Sequence, residues 1–448
     1  MSATANPLQA KRKPWSFILA GFSAAWVTLV MVKFGNPVIF DELVASPTSG
    51  LEFIFNPWPL VWGYALLIVF LVLSTSVWSW NSGAPKWLVV LPLVWYGWQC
   101  LSATQTVDSH LTRVTLVHFT ACVACFYIGL FALSQVKNLL PFGLGFSLGL
   151  AWVLWMGMEQ HYGGLEQTRR EYEQIKWEEH PPELRKRLDT PEMRKKIASD
   201  RIFSTFVYPN ALAGAIILFL PVGLAALWKV CERCSFVIRG VLVSILGYGG
   251  LACLYWSGSK AGWLIVLAMG SIVFFGLRIK EQIKWWLAMA VLVGGLGGFC
   301  VKYSSYFTRG ATSAVARFDY WRAALEIMKE NPVLGSGPGT FLVGYRKLKA
   351  PEAEMARLAH NDYLQQGSDS GLAGLVSYLG LTAGSVGLLY GASRRKSGLV
   401  FALWLGVCGL AIQEIVEFSL YIPSLSWPFF LILGFLWGTR RNQIDNRV

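Results

Sequence analysis

Charge is the scarcest commodity in this chain. Only 15% of its 448 residues are Asp, Glu, Lys or Arg, and 54% are hydrophobic. A soluble protein carries about a quarter charged residues, so an ordinary soluble fold is excluded. Acidic residues are scarcer still, 26 against 39 basic, which leaves a net charge of +13. In a soluble chain that surplus would point to nucleic acid. Here its distribution between two membrane faces matters more, and no nucleic-acid partner is expected. None of the eight cysteines lies in the long polar loops defined below, which argues against an exported disulfide framework. Cys231 and Cys234 form a C-x-x-C with no second Cys or His pair, and read as plain thiols rather than a metal site. The chain lacks the internal repeat that marks many secondary transporters. The run Gly335-Ser336-Gly337-Pro338-Gly339 lacks the GK[ST] ending of a nucleotide loop and reads as a turn, although its backbone N–H groups would suit an anion.

What the chain has is apolar length. About 20 apolar residues cross the roughly 30 Å of hydrocarbon in a bilayer. Twelve stretches approach that length: 16–33, 60–80, 87–103, 114–134, 139–158, 211–229, 237–256, 262–277, 285–302, 371–392, 399–417 and 422–438. The stretch 87–103 is short and tryptophan-rich. The expected fold is an all-α polytopic membrane protein of about twelve helices, and the 21 Trp suit segment ends at headgroup level. The first apolar run is too long for a cleaved leader and is followed by more spans. Basic residues alternate along the loops: Lys11/Arg12/Lys13, Lys86, Lys137, Lys229/Arg233, Arg278/Lys280/Lys284, Arg394/Arg395/Lys396 and Arg440/Arg441 fall on one side. The positive-inside rule then makes both termini cytoplasmic.

This topology places two long polar segments outside, near 159–210 and 303–370. The chain divides accordingly into membrane regions 1–158, 211–302 and 371–448, of five, four and three spans, with exoplasmic loops 159–210 and 303–370 between them. The first loop balances ten acidic against ten basic side chains between Glu159 and Arg201. It reads as two short helices broken at Pro181-Pro182. In the second, helical periodicity runs from Ala314 to Met328 and ends at Asn331-Pro332.

Four clusters then meet on the outer face. They are Arg201 with Asn210, the turn holding Lys260, Arg317 with Arg322, and His360-Asn361-Asp362. Surface cations commonly snorkel to headgroups. As a set, however, these suit a lipid-linked diphosphate, because guanidinium groups bind phosphate oxygens in pairs. His360 is the candidate proton acceptor near neutral pH. Asn361 or Asp362 would orient its ring, and helix capping with loop ordering is its structural alternative. His118, inside an apolar run, reads as a satisfied buried residue. His110, His161 and His180 have no evident partners. Glu414 and Glu417, three apart, would share a face at the outer end of a span, there to bind a sugar hydroxyl or pair with an arginine. A transporter or flippase would instead need ionisable residues deep in several spans and a pseudo-symmetric chain. The spans are mostly uncharged and the candidate residues crowd one face, so transport is the less expected alternative.

The segments RIFSTFVYPNALAG (201–214), SGSKAGWL (257–264), RFDYWRAALEIMKENPVLGSGPGTF (317–341) and AHNDYLQQGSDSGLAGL (359–375) resemble the O-antigen ligase and O-antigen polymerase superfamily. The resemblance implies a membrane glycosyltransferase of class C-like architecture, working outside the plasma membrane of a bacterium without metal or other cofactor. Its donor would be a glycan on undecaprenyl diphosphate. Its acceptor would be a glycan, lipid or protein. His360 matches the loop histidine that helps activate the acceptor hydroxyl. Arg201 and Arg317 or Arg322 match the diphosphate-binding arginines. Lys260 stands where that family commonly has Arg, and a lysine lacks the planar fork. A ligase-like role is expected, with polymerase as the alternative.

Overall fold

The computed structural model describes residues 7–175, 178, 189, 194, 197–276, 280–304, 312–351 and 353–440. The helices expected around Pro181-Pro182 lie outside the described residues, as do His180, Arg278 and Arg441. The structure is all-α, with no strand among the described residues. Its membrane helices begin with α1 (Pro7–Lys33), the short α2 (Gly50–Phe55), α3 (Leu60–Thr75), α4 (Lys86–Ser102), α5 (Ser109–Tyr127) and α6 (Leu140–Glu159). The exposed α7 (Leu165–Glu173) continues α6, and α8 (Pro209–Val230), α9 (Phe236–Ser257), α10 (Lys260–Gly276) and α11 (Glu281–Lys302) follow. The second polar loop holds α12 (Thr312–Glu330) and α13 (Phe341–Leu348). The chain ends with α14 (Asp362–Leu379), its continuation α15 (Ser385–Arg394), α16 (Gly398–Gln413) and α17 (Pro423–Gly438).

A helix lies at each of the twelve expected positions. Seven are long and apolar enough to cross a bilayer, and four more, α3, α10, α16 and α17, are apolar but shorter. The protein is therefore a polytopic membrane protein. At 1.5 Å per residue, a helix of the length of α16 or α17 spans about 24 Å, less than the hydrocarbon core. The chain between them, from Glu414 to Ile422, makes up the difference by sinking into the protein. Glu414, Glu417, Phe418, Ser419, Leu420, Tyr421 and Ile422 are all buried. Irregular backbone at such depth is tolerated where protein surrounds it.

The central helix is α17, buried from Pro423 to Trp437. It packs on α5, α1 and α16, and its approach to α5 is backbone to backbone. A side chain at Gly129 would overlap the Leu431 carbonyl, and one at Gly434 would overlap that of Phe126. Small residues permit such close helix contacts. By contrast, α11 is exposed along almost its whole length, as a lipid-facing helix would be.

The first half of α14 carries the polar sequence QQGSDS, yet Gln365, Gln366, Ser368, Asp369 and Ser370 are buried. Buried polar groups of this kind must be paired. Gln366 Oε1 accepts from Trp95 Nε1 at 2.8 Å and Gln99 Nε2 at 3.0 Å, tying α14 to α4. Asp369 accepts from Gly339 N–H at 2.8 Å, Gln365 Nε2 at 2.9 Å and Tyr421 Oη at 3.0 Å. Gly337 N–H donates to the Asp369 carbonyl at 2.8 Å. Ser336, Gly337 and Gly339 thus donate their N–H groups to α14 and Gly335 donates to the Asn331 carbonyl, as in a structural turn. At Gly371 α14 kinks with φ +70°, and its backbone lies against the Val333 carbonyl.

Candidate functional site

The starts of α8, α10 and α14 meet the ends of α9 and α16 at one end of the bundle. Each contributes to a single polar cluster. Arg201 reaches it from the segment before α8. That segment is pinned by Gln160, whose Oε1 accepts from Ser204 N–H at 2.7 Å and Phe203 N–H at 3.0 Å. The Arg201 Nε then donates to the Ser257 carbonyl at the end of α9, at 2.7 Å, and its Nη2 to Asn210 Oδ1 at 2.9 Å. Asn210 Nδ2 passes the connection on to Glu417 Oε1 at 2.6 Å.

Glu417 is the hub. Its Oε1 also accepts from Arg317 Nη2, while Arg317 Nε holds the Val416 carbonyl at 3.0 Å. Its Oε2 lies 3.2 Å from His360 Nδ1. The Glu417 side chain is 6% exposed, Arg317 19% and His360 26%. Arg317 supplies the counter-charge that a buried carboxylate needs.

His360 sits in the left-handed backbone region, φ +49°, where a side chain other than glycine needs outside support. Support comes from both sides of the ring, since Tyr320 stacks at 5.6 Å and Phe418 meets it edge-on at 4.7 Å. Trp321 Nε1 donates to the His360 carbonyl at 3.4 Å. With Nδ1 donating to Glu417, the imidazole tautomer leaves a lone pair on Nε2. Among the described residues no hydrogen bond engages Nε2.

Lys260, the first residue of α10, lies 5.2 Å from the Tyr303 ring and is close enough to Arg201 and Arg317 for their charges to repel its own. Three cations thus face one carboxylate. The expected residues Arg201, Asn210, Lys260, Arg317, His360 and Glu417 come together. Four others have different places. Arg322 is exposed on α12 beside Glu326, five residues and therefore about 140° around the helix from Arg317. Asn361 caps α14, its Oδ1 accepting from Leu364 N–H at 2.9 Å. Asp362 is fully buried, accepting from Leu420 N–H at 2.9 Å and donating its own N–H to the Glu414 carbonyl at 2.8 Å. Neither orients the His360 ring, which is the part Glu417 takes. Glu414 is buried away from the cations among Asp362, Tyr363 and Tyr378. Because α16 ends at Gln413, Glu414 and Glu417 do not share a helical face.

Of the remaining histidines, His118 is buried with its Nε2 2.7 Å from the Leu420 carbonyl. His110 pairs with Glu42 at 3.1 Å, and His161 stacks on Trp256 at 4.0 Å, so each has a partner that its sequence neighbourhood does not reveal. Sequence reasoning also misses Gln160, Tyr320, Trp321 and Phe418. Tyr320 was accessible in principle, being three residues after Arg317 on the same helical face.

Residues 241–379 match the O-Antigen ligase family, Wzy_C. No curated protein matches the chain. The Wzy_C stretch takes in Lys260, Arg317, Arg322 and His360 and leaves Arg201, Asn210, Glu414 and Glu417 outside it. A Wzy_C domain is shared by O-antigen ligases and polymerases, and implies glycan ligase or polymerase activity on lipid-linked glycans.

Proposed function

We propose that this protein is an O-antigen ligase-like glycosyltransferase of the bacterial inner membrane. It spans the bilayer twelve times with both termini cytoplasmic, and works at the periplasmic face. It moves a glycan from undecaprenyl diphosphate to an acceptor hydroxyl without a metal. The observation that carries this reading is the attachment of His360 and Arg317 to the same buried Glu417, with Arg201 joined through Asn210.

The chemistry follows from the charges. His360 Nε2 takes the proton of the acceptor hydroxyl as its oxygen bonds to the anomeric carbon. The bond from that carbon to the diphosphate oxygen breaks, and the electron pair leaves with the carrier. Arg201, Lys260 and Arg317 outnumber Glu417, and their surplus positive charge suits the departing diphosphate. An apolar groove of about 700 Å³ between α10 and α11 ends at Lys302 and Tyr303, next to Lys260, and could hold a polyprenyl chain. Polymerases of the same family would use this chemistry with a second lipid-linked glycan as acceptor. Loss of a ligase leaves long chains on the carrier, whereas loss of a polymerase leaves single repeats attached.

The test is transfer of extracted lipid-linked glycan by the purified protein in EDTA. Wild type transfers, and His360→Ala loses about 10²–10⁴-fold, the usual contribution of a general base. Undiminished transfer by His360→Ala would remove the proposed mechanism.

A further inference from the structure

We propose that Arg357, with the ring shelf running from it to His360, is the acceptor subsite, and that it takes a glycan carrying a carboxylate or phosphate. The proposal rests on the transferase reading above and adds where the acceptor lies and what it is.

From the His360 ring runs a line of aromatic contacts. Phe418 meets the imidazole at 4.7 Å, Tyr208 meets Phe418 edge-on at 5.3 Å, and Phe40 lies 6.3 Å from Tyr208. The guanidinium of Arg357 covers Phe40 at 4.7 Å and acts electrostatically on Tyr208. Phe418 is buried, Phe40 and Tyr208 are half-buried, and Arg357 is exposed. The line therefore climbs from the reacting histidine to the surface. Arg357 and His360 are three residues apart, so their Cα atoms lie within about 11 Å, the span of roughly one sugar unit or two.

The accessible parts, Phe40, Tyr208 and Arg357, suit a saccharide, with buried Phe418 linking them to His360. The apolar faces of sugar rings pack on aromatic rings, and a stacked guanidinium keeps its N–H fork for a planar anion. No carboxylate among the described residues is paired with Arg357, in contrast to Arg317. Arg357 is joined by sequence and by the ring line to His360, the group that takes the acceptor proton, and this assigns it to the acceptor. Phe40, Tyr208 and Phe418 also lie outside the Wzy_C stretch, whereas Arg357 and His360 lie within it. Acceptor preference can then differ between proteins that share the transfer chemistry.

The experiment is a transfer assay with purified full-length protein, lipid-linked glycan extracted from the producing cells as donor, and the acceptor fraction of the same cells titrated against it. Arg357→Ala is expected to raise the acceptor KM about tenfold, the equivalent of roughly one charge-assisted bond, with the donor KM within about twofold. Arg357→Lys keeps the charge without the fork and should fall between. Carboxyl-reduced and dephosphorylated acceptor preparations distinguish the two anions. The preparation that has lost the recognised group binds wild type as weakly as native acceptor binds Arg357→Ala, with no further loss in the variant. An unchanged acceptor KM, or a rise in donor KM instead, overturns the subsite while the transferase reading stands. If wild type transfers nothing, the transferase reading itself fails and the subsite with it.

Discussion

Replacing Glu417 by Gln tests the hub more sharply than removing any cation. Three donors converge on this carboxylate: Arg317, Asn210 and, through Nδ1, His360. A glutamine can offer its carbonyl oxygen to Arg317 and Asn210, but its amide then points N–H groups at His360 Nδ1. The imidazole must accept there, its proton moves to Nε2, and the atom meant to take the acceptor proton is already protonated. Inverting a catalytic histidine in this way costs about 10⁴-fold in a serine-protease triad. Transfer by Glu417→Gln should therefore fall by about 10²–10⁴-fold, although the side chain keeps its volume. Loss of charge-assisted bonds should lower stability by about 1.5–3 kcal/mol. Glu417→Ala leaves the Arg317 guanidinium largely buried without its counter-charge, for which about 3–5 kcal/mol is typical. Adding Arg317→Gln to Glu417→Gln removes the uncompensated charge, so the double variant should unfold later than the sum of the singles predicts but remain inactive. Thermal unfolding in detergent and transfer of lipid-linked glycan read the two effects separately. Transfer by Glu417→Gln within threefold of wild type would show that Glu417 does not set the tautomer.

One further outcome follows from the same geometry. Arg317→Ala should lose most transfer, whereas Arg322→Ala, exposed on the other side of α12, should stay within about twofold of wild type, like most surface substitutions.

Much of the fold could be read from apolar length alone, because a bilayer demands it. That Arg201, Lys260, Arg317 and His360 lie near one another could be read in advance, because each stands at an expected span end or in an expected loop on the same side. What could not be read was the partnership. Neighbours in sequence made Asn361 and Asp362 the natural orienters of His360, yet both turn into the start of α14 and its buried surroundings. The actual partner is 57 residues away in sequence. Arg322 was the one avoidable misplacement. Its five-residue offset from Arg317 puts it on another helical face, and a stricter reading of the 3.6-residue period would have separated them.

That Glu417 partners His360 escaped for a physical reason that also explains how the site works. Apolar residues continue past Gln413, so a span appears to run on to 417, but the helix stops and the chain folds inward as an irregular buried loop. That loop is what makes α16 and α17 short. Its buried backbone needs partners, and Asp362 supplies one to Leu420 N–H while Arg317 supplies one to the Val416 carbonyl. The contacts that make irregular backbone tolerable at this depth thus also fix Glu417 between a guanidinium and an imidazole. A straight helix through these residues would place 414 and 417 on one face and could not direct one carboxyl to the cations and the other into the interior. Interrupting the helix separates the two, leaving one carboxyl ionised at His360 and the other buried behind it.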